Sequence, residues 1–240
     1  EGIIAAVRGG ADAVYFGTGD YNARRNAKNL EGEELAEAFR YCRLRGVKTY
    51  VTMNTLVTDR ELVRAKELVL KLSELGADAL IVQDLGMARL IRSVAPDLPI
   101  HASTQMTLHN LGGVLAAQKL GFTRVVLSRE LPLREIEFIC KRSPVEIEVV
   151  VHGAWCMCYS GQCYLSAAIG GRSGNRGRCA QPCRQSYGYG RWESRYPLSL
   201  KDNCLAHYVR ELEQMGVIQM GNIRLNAAKR LEAAIVGAAT

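Results

Sequence analysis

Five cysteines stand within 28 residues, in the run His152-Gly-Ala-Trp-Cys156-Met-Cys158-Tyr-Ser-Gly-Gln-Cys163 and then in Asn175-Arg-Gly-Arg-Cys179-Ala-Gln-Pro-Cys183-Arg184. Their spacings are C-x-C, C-x4-C, C-x15-C and C-x3-C, and Cys204 follows a little further on. Structural cysteines scatter along a chain, whereas thiolates that converge on one ion or cluster are gathered by loops. Zinc sites usually show paired C-x2-C knuckles, and this chain has none. Irregular spacing over a long loop suits an iron–sulfur cluster, held by four of these thiolates, better than zinc. Neighbouring arginines and backbone N–H groups would offset the negative charge of such a cluster. Cys42 and Cys140 fall on helical stretches and read as packing residues.

The elements that must position these thiols repeat one form: a helical stretch, a glycine, then a short β-branched strand. Gly10 precedes Ala11 to Gly17, Gly76 precedes Ala77 to Asp84, and Gly121 precedes Phe122 to Ser128. Each glycine is placed to end a helix in the left-handed conformation. Further strands are expected at Val47 to Met53, Pro99 to Ser103 and Glu146 to Val151, with helices over Glu33–Arg45, Asp59–Leu75 and Leu133–Arg142. Strands alternating with helices predict a parallel sheet buried on both faces. The expected fold is α/β, a (β/α)8 TIM-type barrel forming one domain over 1–240. An open doubly wound sheet is the alternative.

Two strands are weak in this reading. The chain begins at Glu1 inside what reads as a helix, so a first strand is expected upstream, and the last falls near Val217 to Met220. The segment 153–197 is rich in Gly, Ser and Arg and lacks periodicity. It reads as a Cys- and Arg-rich loop, too long to be structureless unless a bound group orders it.

Active sites of such barrels sit at the C-terminal strand ends, and the residues there are chemically rich. His152, Glu130 and Asp84 are candidate catalytic residues for proton transfer. The competing accounts are a histidine anchoring the loop and carboxylates paired across the mouth with Arg24, Arg25 or Arg129. Arg24, Arg25, Asn54, His101 and Gln105 are candidate substrate-binding residues. The two arginines could grip phosphate or carboxylate by bidentate contacts, or simply form a solvated basic loop. Tyr187, Tyr189 and Trp192 interleave with Arg184, Arg191 and Arg195, a mixture suited to stacking on unpaired bases.

With 48% hydrophobic residues among 240, the chain can bury a substantial core. The net charge of +7 favours an anionic partner, RNA included. Neither a signal peptide nor an apolar run of membrane-spanning length is visible, and eight cysteines beside a normal core point to metal-bound thiols in a reducing cytoplasm. There is no His-Glu-x-x-His zinc motif and no Gly-x-Ser-x-Gly elbow.

The strings His152-Gly-Ala-x-Cys156-x-x-Tyr-Ser-Gly-x-Cys163 and Asn175-Arg-Gly-x-Cys179-x-Gln-x-Cys183-Arg184 resemble the signature of the collagenase-like peptidase family, unassigned-type peptidase family 32. The resemblance extends to Gly10-Ala-Asp-Ala-Val-Tyr15, Asn22 to Asn29, Val51-Thr-x-Asn-Thr55, Ala79 to Asp84, His101-Ala-Ser-Thr-Gln105, Val126 to Glu130 and Leu200-Lys-Asp202. It implies a TIM-like barrel holding a 4Fe–4S cluster. The activity it implies is oxygen-independent hydroxylation of a pyrimidine in ribosomal or transfer RNA, with prephenate as a co-substrate, as in the 5-hydroxycytidine and 5-hydroxyuridine synthase-like members. The peptidase activity of the family name is the alternative, and a ubiquinone-pathway hydroxylase subunit is the third. Cys156, Cys163, Cys179 and Cys183 match the shared cysteines, Cys204 could replace Cys183, and Cys158 stands where the family usually has a small residue. The Asn22–Asn29 segment looks closer to the ribosomal-RNA type. Gln219 to Leu225 departs from the apolar strand ending in Lys-Ile-Glu-Gly-Arg that the family normally shows.

Overall fold

The computed structural model describes residues 1–25, 29–188, 190 and 195–222. Seven strands run parallel: β1 (Ala13–Gly17), β2 (Lys48–Met53), β3 (Ala79–Val82), β4 (Ile100–Ala102), β5 (Arg124–Val126), β6 (Glu146–Ala154) and, beyond a short antiparallel β7 (Asp202–Cys204), β8 (Gln219–Asn222). Neighbours in sequence pair in order from β1 to β6, and β8 then pairs with β6. The helices between them are α1 (Gly2–Arg8), α2 (Gly32–Arg43), α3 (Asp59–Leu75), α4 (Leu85–Val94), α5 (Leu111–Lys119), α6 (Leu133–Cys140), α7 (Leu165–Gly170) and α8 (Val209–Gln214). The sheet curls as an incomplete barrel, and among the described residues β1 and β8 form no ladder with each other. Among the same residues, no helix is long and apolar enough to cross a membrane.

Strand alternation separates the sheet's two faces. Val51, Met53, Leu80, Val82, Ile100, Val125, Ile147 and Val151 share one cluster with helix residues Leu35, Leu72, Ile91, Val114 and Ile139, which is the main core. The inner face instead carries Tyr50, Ile81, His101, Arg124 and Glu148, all buried. Arg124 donates to Glu146 from Nε (2.8 Å), reaches Glu148 at 3.5 Å and hydrogen-bonds Gln219 of β8. A buried charged layer therefore ties β5, β6 and β8 together where an apolar plug would otherwise sit.

The helix termini follow the local sequence. Thr58 and Glu61 close a reciprocal capping box at the start of α3, and Gly76 ends it with φ 80°. Cys42 lies fully buried on α2, and Cys140 ends α6 with its thiol pushed up to about 11 by burial, so both serve packing.

His101 meets the Tyr50 ring edge-on, with centroids 4.8 Å apart. Burial, reinforced by Arg124 and Lys48, pushes its pKa down to about 3. The unfolded chain then binds a proton that the folded chain refuses between about pH 6.5 and 3, so acid destabilises the fold. Glu148 acts in the opposite sense. Burial raises it to about 7, against the pull of Arg124, so its contribution fades as pH rises from about 4.5 to 7. Below about pH 4.5 Glu148 no longer contributes, and His101 should lower stability by about 1.4 kcal/mol per pH unit, alongside the loss from Glu61, whose folded pKa of about 2 also lies below its unfolded value. Urea unfolding at pH 4.5 and 3.5 should show a shallower loss in His101→Phe; an unchanged slope would remove His101 from the account.

Candidate active site: a cysteine segment clamped over the strand ends

β6 is the longest strand, and its upper half carries the cysteine segment. Residues 152–154 pair antiparallel with β7, placing His152 opposite Cys204 and Ala154 opposite Asp202. The excursion from 155 to 201 therefore leaves and returns at one point on the barrel rim. Within it, α7 and two short 3-10 turns, Gly174–Arg176 and Pro182–Arg184, provide local order. Of the aromatic–arginine stretch, Tyr189, Arg191 and Trp192 lie outside the described residues, as do Ile223 to Leu225 at the chain's departure from the expected last strand.

The strand-end side chains hold this segment down. Ser160, only 1% exposed, donates to Glu130 Oε1 from both its backbone N–H (3.0 Å) and its hydroxyl (3.2 Å). Its carbonyl accepts from Thr107 Oγ1 at 2.7 Å, and Arg129 Nε donates to its Oγ at 3.1 Å. His109 Nε2 stands 3.2 Å from Glu130 Oε2, an ion-pair distance without hydrogen-bond alignment. Glu130 is thus the floor on which the Cys156–Cys163 turn rests.

Asn175 fixes the second half. Its Oδ1 accepts from Gln83 Nε2 (3.3 Å), its Nδ2 donates to the Gly161 carbonyl (2.8 Å), and its own carbonyl accepts from Leu56 N–H (2.9 Å). One buried side chain thereby links β3, the first cysteine turn and the approach to Cys179. Arg176 makes a bidentate pair with Glu61 (2.9 and 2.5 Å) and also donates to the Leu56 carbonyl. That pair holds Glu61 down at about 2. Arg184 donates to Ser199 Oγ and the Trp155 carbonyl, so this arginine braces the segment's two ends.

The remaining candidates have equally specific partners. Asp84 caps α4, accepting from Met87 N–H at 2.9 Å, and also accepts from Val57 N–H. Asn54 accepts from Ala23 N–H and donates to Ser103 Oγ, which fixes the loop after β1. Arg25 pairs with Asp20 at 2.7 Å on a half-exposed rim, while the backbone N–H of Arg24 donates to Asn22 Oδ1. His101 lies within the inner face of the sheet, and Gln105 presents its backbone carbonyl to Gln83 Nε2. Buried atoms at the strand ends without a described partner include Gln83 Oε1, Gln105 Oε1 and both ring nitrogens of His152. Unpaired buried polar atoms are costly, and ones gathered at a barrel mouth are what a ligand would satisfy.

All eight cysteines are free. Burial pushes the Cys183 thiol up, and the neighbouring Cys156, Cys179 and Cys163 push the same way against Arg184. Burial likewise raises Cys158, which hydrogen-bonds Cys163 and feels Cys156. Gln181 N–H donates to Cys179 Sγ at 3.3 Å. Among the described residues, no three His, Cys, Asp or Glu side chains gather as they would around a single metal ion.

A family model for peptidase family U32 matches residues 1–221. The chain belongs to the U32 family. It is 43% identical over 204 residues to the 23S rRNA 5-hydroxycytidine C2501 synthase of Escherichia coli (strain K12), covering 82% of this chain and 31% of that protein. It is 34% identical over 229 residues to tRNA hydroxylation protein P1 of Bacillus subtilis (strain 168), covering 90% and 54%. A collagenase of Porphyromonas gingivalis (strain ATCC BAA-308 / W83) is 32% identical over 237 residues, covering 90% and 56%. The chain thus spans about half or less of these relatives. The solved structure of the U32 peptidase Mk0906 superposes with a TM-score of 0.56 at 15% identity, covering 80% of this chain and 83% of that one, and shares the fold.

The U32 sequence motifs contain Ser160, Gly161, Asn175 and Gly177, which sequence reasoning passed over as surroundings of the cysteines. The clamp they form gives a direct test. Arg176→Ala should loosen the cysteine segment by about 1–2 kcal/mol, the scale of a partly exposed bidentate pair. Limited proteolysis should then cut within 155–201 several-fold faster; unchanged cutting would show that the Glu61 pair restrains nothing.

Proposed function

We propose that this chain is the barrel portion of an RNA hydroxylase that oxidises a pyrimidine C–H bond to C–OH, with one 4Fe–4S cluster on Cys156, Cys163, Cys179 and Cys183. The similarity to ribosomal and transfer RNA hydroxylation proteins, with the ribosomal relative at 43% identity, carries the reading. The free, mutually coupled thiols support the cofactor. Each thiolate of a cubane binds a different iron, so its ligands need not converge on one point as those of a single zinc ion must. When bound, the cluster would supply one-electron chemistry close to the mouth, with prephenate as the co-substrate.

The protein's own contribution is positioning. A base must leave its stack to be modified, and Gln83 Oε1 and Gln105 Oε1 would accept hydrogen bonds from its exposed edge. His152, 6% exposed with both ring nitrogens unpaired, would hold or take the proton released from the base. The net charge of +7 favours the RNA backbone. A strain lacking the gene should lose one hydroxylated pyrimidine, restored by the wild-type gene; unchanged mass spectra of both ribosomal and transfer RNA would overturn the reading.

A second reading, peptide hydrolysis, has support in the Porphyromonas gingivalis relative. A thiol protease needs a cysteine hydrogen-bonded to a histidine. His152 has no such partner, and His109 Nε2 faces Glu130. Collagen cleavage by cluster-free protein would favour this alternative.

A further inference from the structure

A cavity of about 300 Å³ lies beside the cysteine segment, between the helix-facing side of β5 and β6 and the helices α6 and α8. Leu127, Leu131, Ile136, Val149 and Leu212 form its apolar body. Enclosed apolar cavities of roughly half this size accept benzene; this one is open to solvent on one side, where Tyr208 is exposed. A six-membered ring with a short substituent is therefore the scale of molecule it can hold.

Two side-chain polar atoms of lining residues are buried without a described partner. Ser128 is 3% exposed and its Oγ has no partner; the indole Nε1 of Trp155 is also buried and unpartnered. An indole N–H can only donate and a serine hydroxyl can donate, so an acceptor on a bound molecule would satisfy both. Arg129 also lines this wall, with its guanidinium Nε on Ser160 Oγ. Among the described residues, no carboxylate lines the cavity. An indole N–H and a hydroxyl that can donate, in the wall of an apolar pocket with a cationic residue beside it, favour a ligand with an apolar ring and one anionic acceptor.

The wall also touches the cysteine segment's supports. Trp155 directly precedes Cys156, Leu205 directly follows Cys204, and Arg129 donates to Ser160 Oγ. An occupant would fix the three points from which that segment hangs. We propose that this cavity is a binding site for an aromatic or alicyclic monocarboxylate, separate from the strand-end mouth. A diacid such as prephenate would bury its second carboxylate among leucine, isoleucine and valine side chains without a donor, at a cost of several kcal/mol.

Calorimetric titration of the whole chain with phenylacetate, toluene and acetate tests this without any cluster or RNA. Phenylacetate should bind one to one, about ten-fold more tightly than toluene, and acetate should not bind at all. Ser128→Ala and Trp155→Phe should each weaken phenylacetate several-fold while leaving toluene affinity intact, a control showing that the chamber still exists. No phenylacetate binding up to about 10 mM, a concentration that detects even weak ring-sized ligands, would overturn the site. Equal affinity for toluene and phenylacetate, or phenylacetate binding unmoved by both substitutions, would overturn the carboxylate assignment. Competitive displacement of phenylacetate by prephenate would overturn the restriction to monoacids.

Discussion

Replacing Cys156, Cys163, Cys179 or Cys183 singly by serine is expected to remove most of the iron from protein purified without oxygen, while Cys42→Ser and Cys140→Ser keep it. A serine hydroxyl stays protonated where a thiolate would bind, so one ligand of four is lost outright. The sharpest part concerns Cys183 against Cys204. The thiols that bear on Cys183 are Cys156, Cys179 and Cys163, whereas Cys204 lies apart on β7 opposite His152. Iron should therefore survive Cys204→Ser and Cys158→Ser. Iron retained in Cys183→Ser but lost in Cys204→Ser would transfer the fourth position.

Gly161→Ala should be nearly as damaging, although it touches no thiol. Gly161 has φ +77°, and an added Cβ would overlap the backbone carbonyl of Gln105, which cannot swing aside as a side chain could. The same carbonyl accepts from Gln83, and the Gly161 carbonyl accepts from Asn175, so the clash spreads to both halves of the clamp. The strained conformation and the backbone displacement together should cost about 3–4 kcal/mol. The expected result is a barrel with near-normal helical content, a lower midpoint of unfolding and little retained iron. Gly177 meets the Asn22 backbone in the same way at φ +70°, and Gly177→Ala should behave alike. Wild-type stability and iron content in both variants would show that the segment does not need these close approaches.

Much of the barrel was legible because local and long-range demands agree. The reading of α3 as Asp59–Leu75 matches the structure residue for residue, since Thr58 and Glu61 mark its start and Gly76 its end. The strand after each left-handed glycine was visible for the same reason, at Gly10, Gly76 and Gly121. β7 was not visible: Asp202-Asn-Cys204 is short and polar, and only its pairing with β6 makes it a strand. α7 escaped notice because six residues of Leu, Ser, Ala, Ile and Gly carry too little pattern.

The candidate site was legible in its chemistry but not in its geometry. Asp84 and Glu130 stand at strand ends as expected, yet a sequence cannot tell a carboxylate that meets substrate from one that meets a backbone N–H. The partner of Glu130, Ser160, is 30 residues away, and that of Gln83, Asn175, is 92 away. Arg184 read as part of a surface for stacking on bases and Arg176 only as a neighbour of the cysteines; both guanidinium groups instead hold the cysteine segment's own supports. Their charge is real, but their geometry is structural.

The most direct test of the central claim is the iron, sulfide and zinc content of the anaerobically purified chain, read with its visible absorption spectrum. About four irons and four sulfides per chain, with the broad visible absorbance of a thiolate-held cluster, is the predicted result. Stoichiometric zinc, or a folded chain with no metal after anaerobic reconstitution with iron and sulfide, would contradict it.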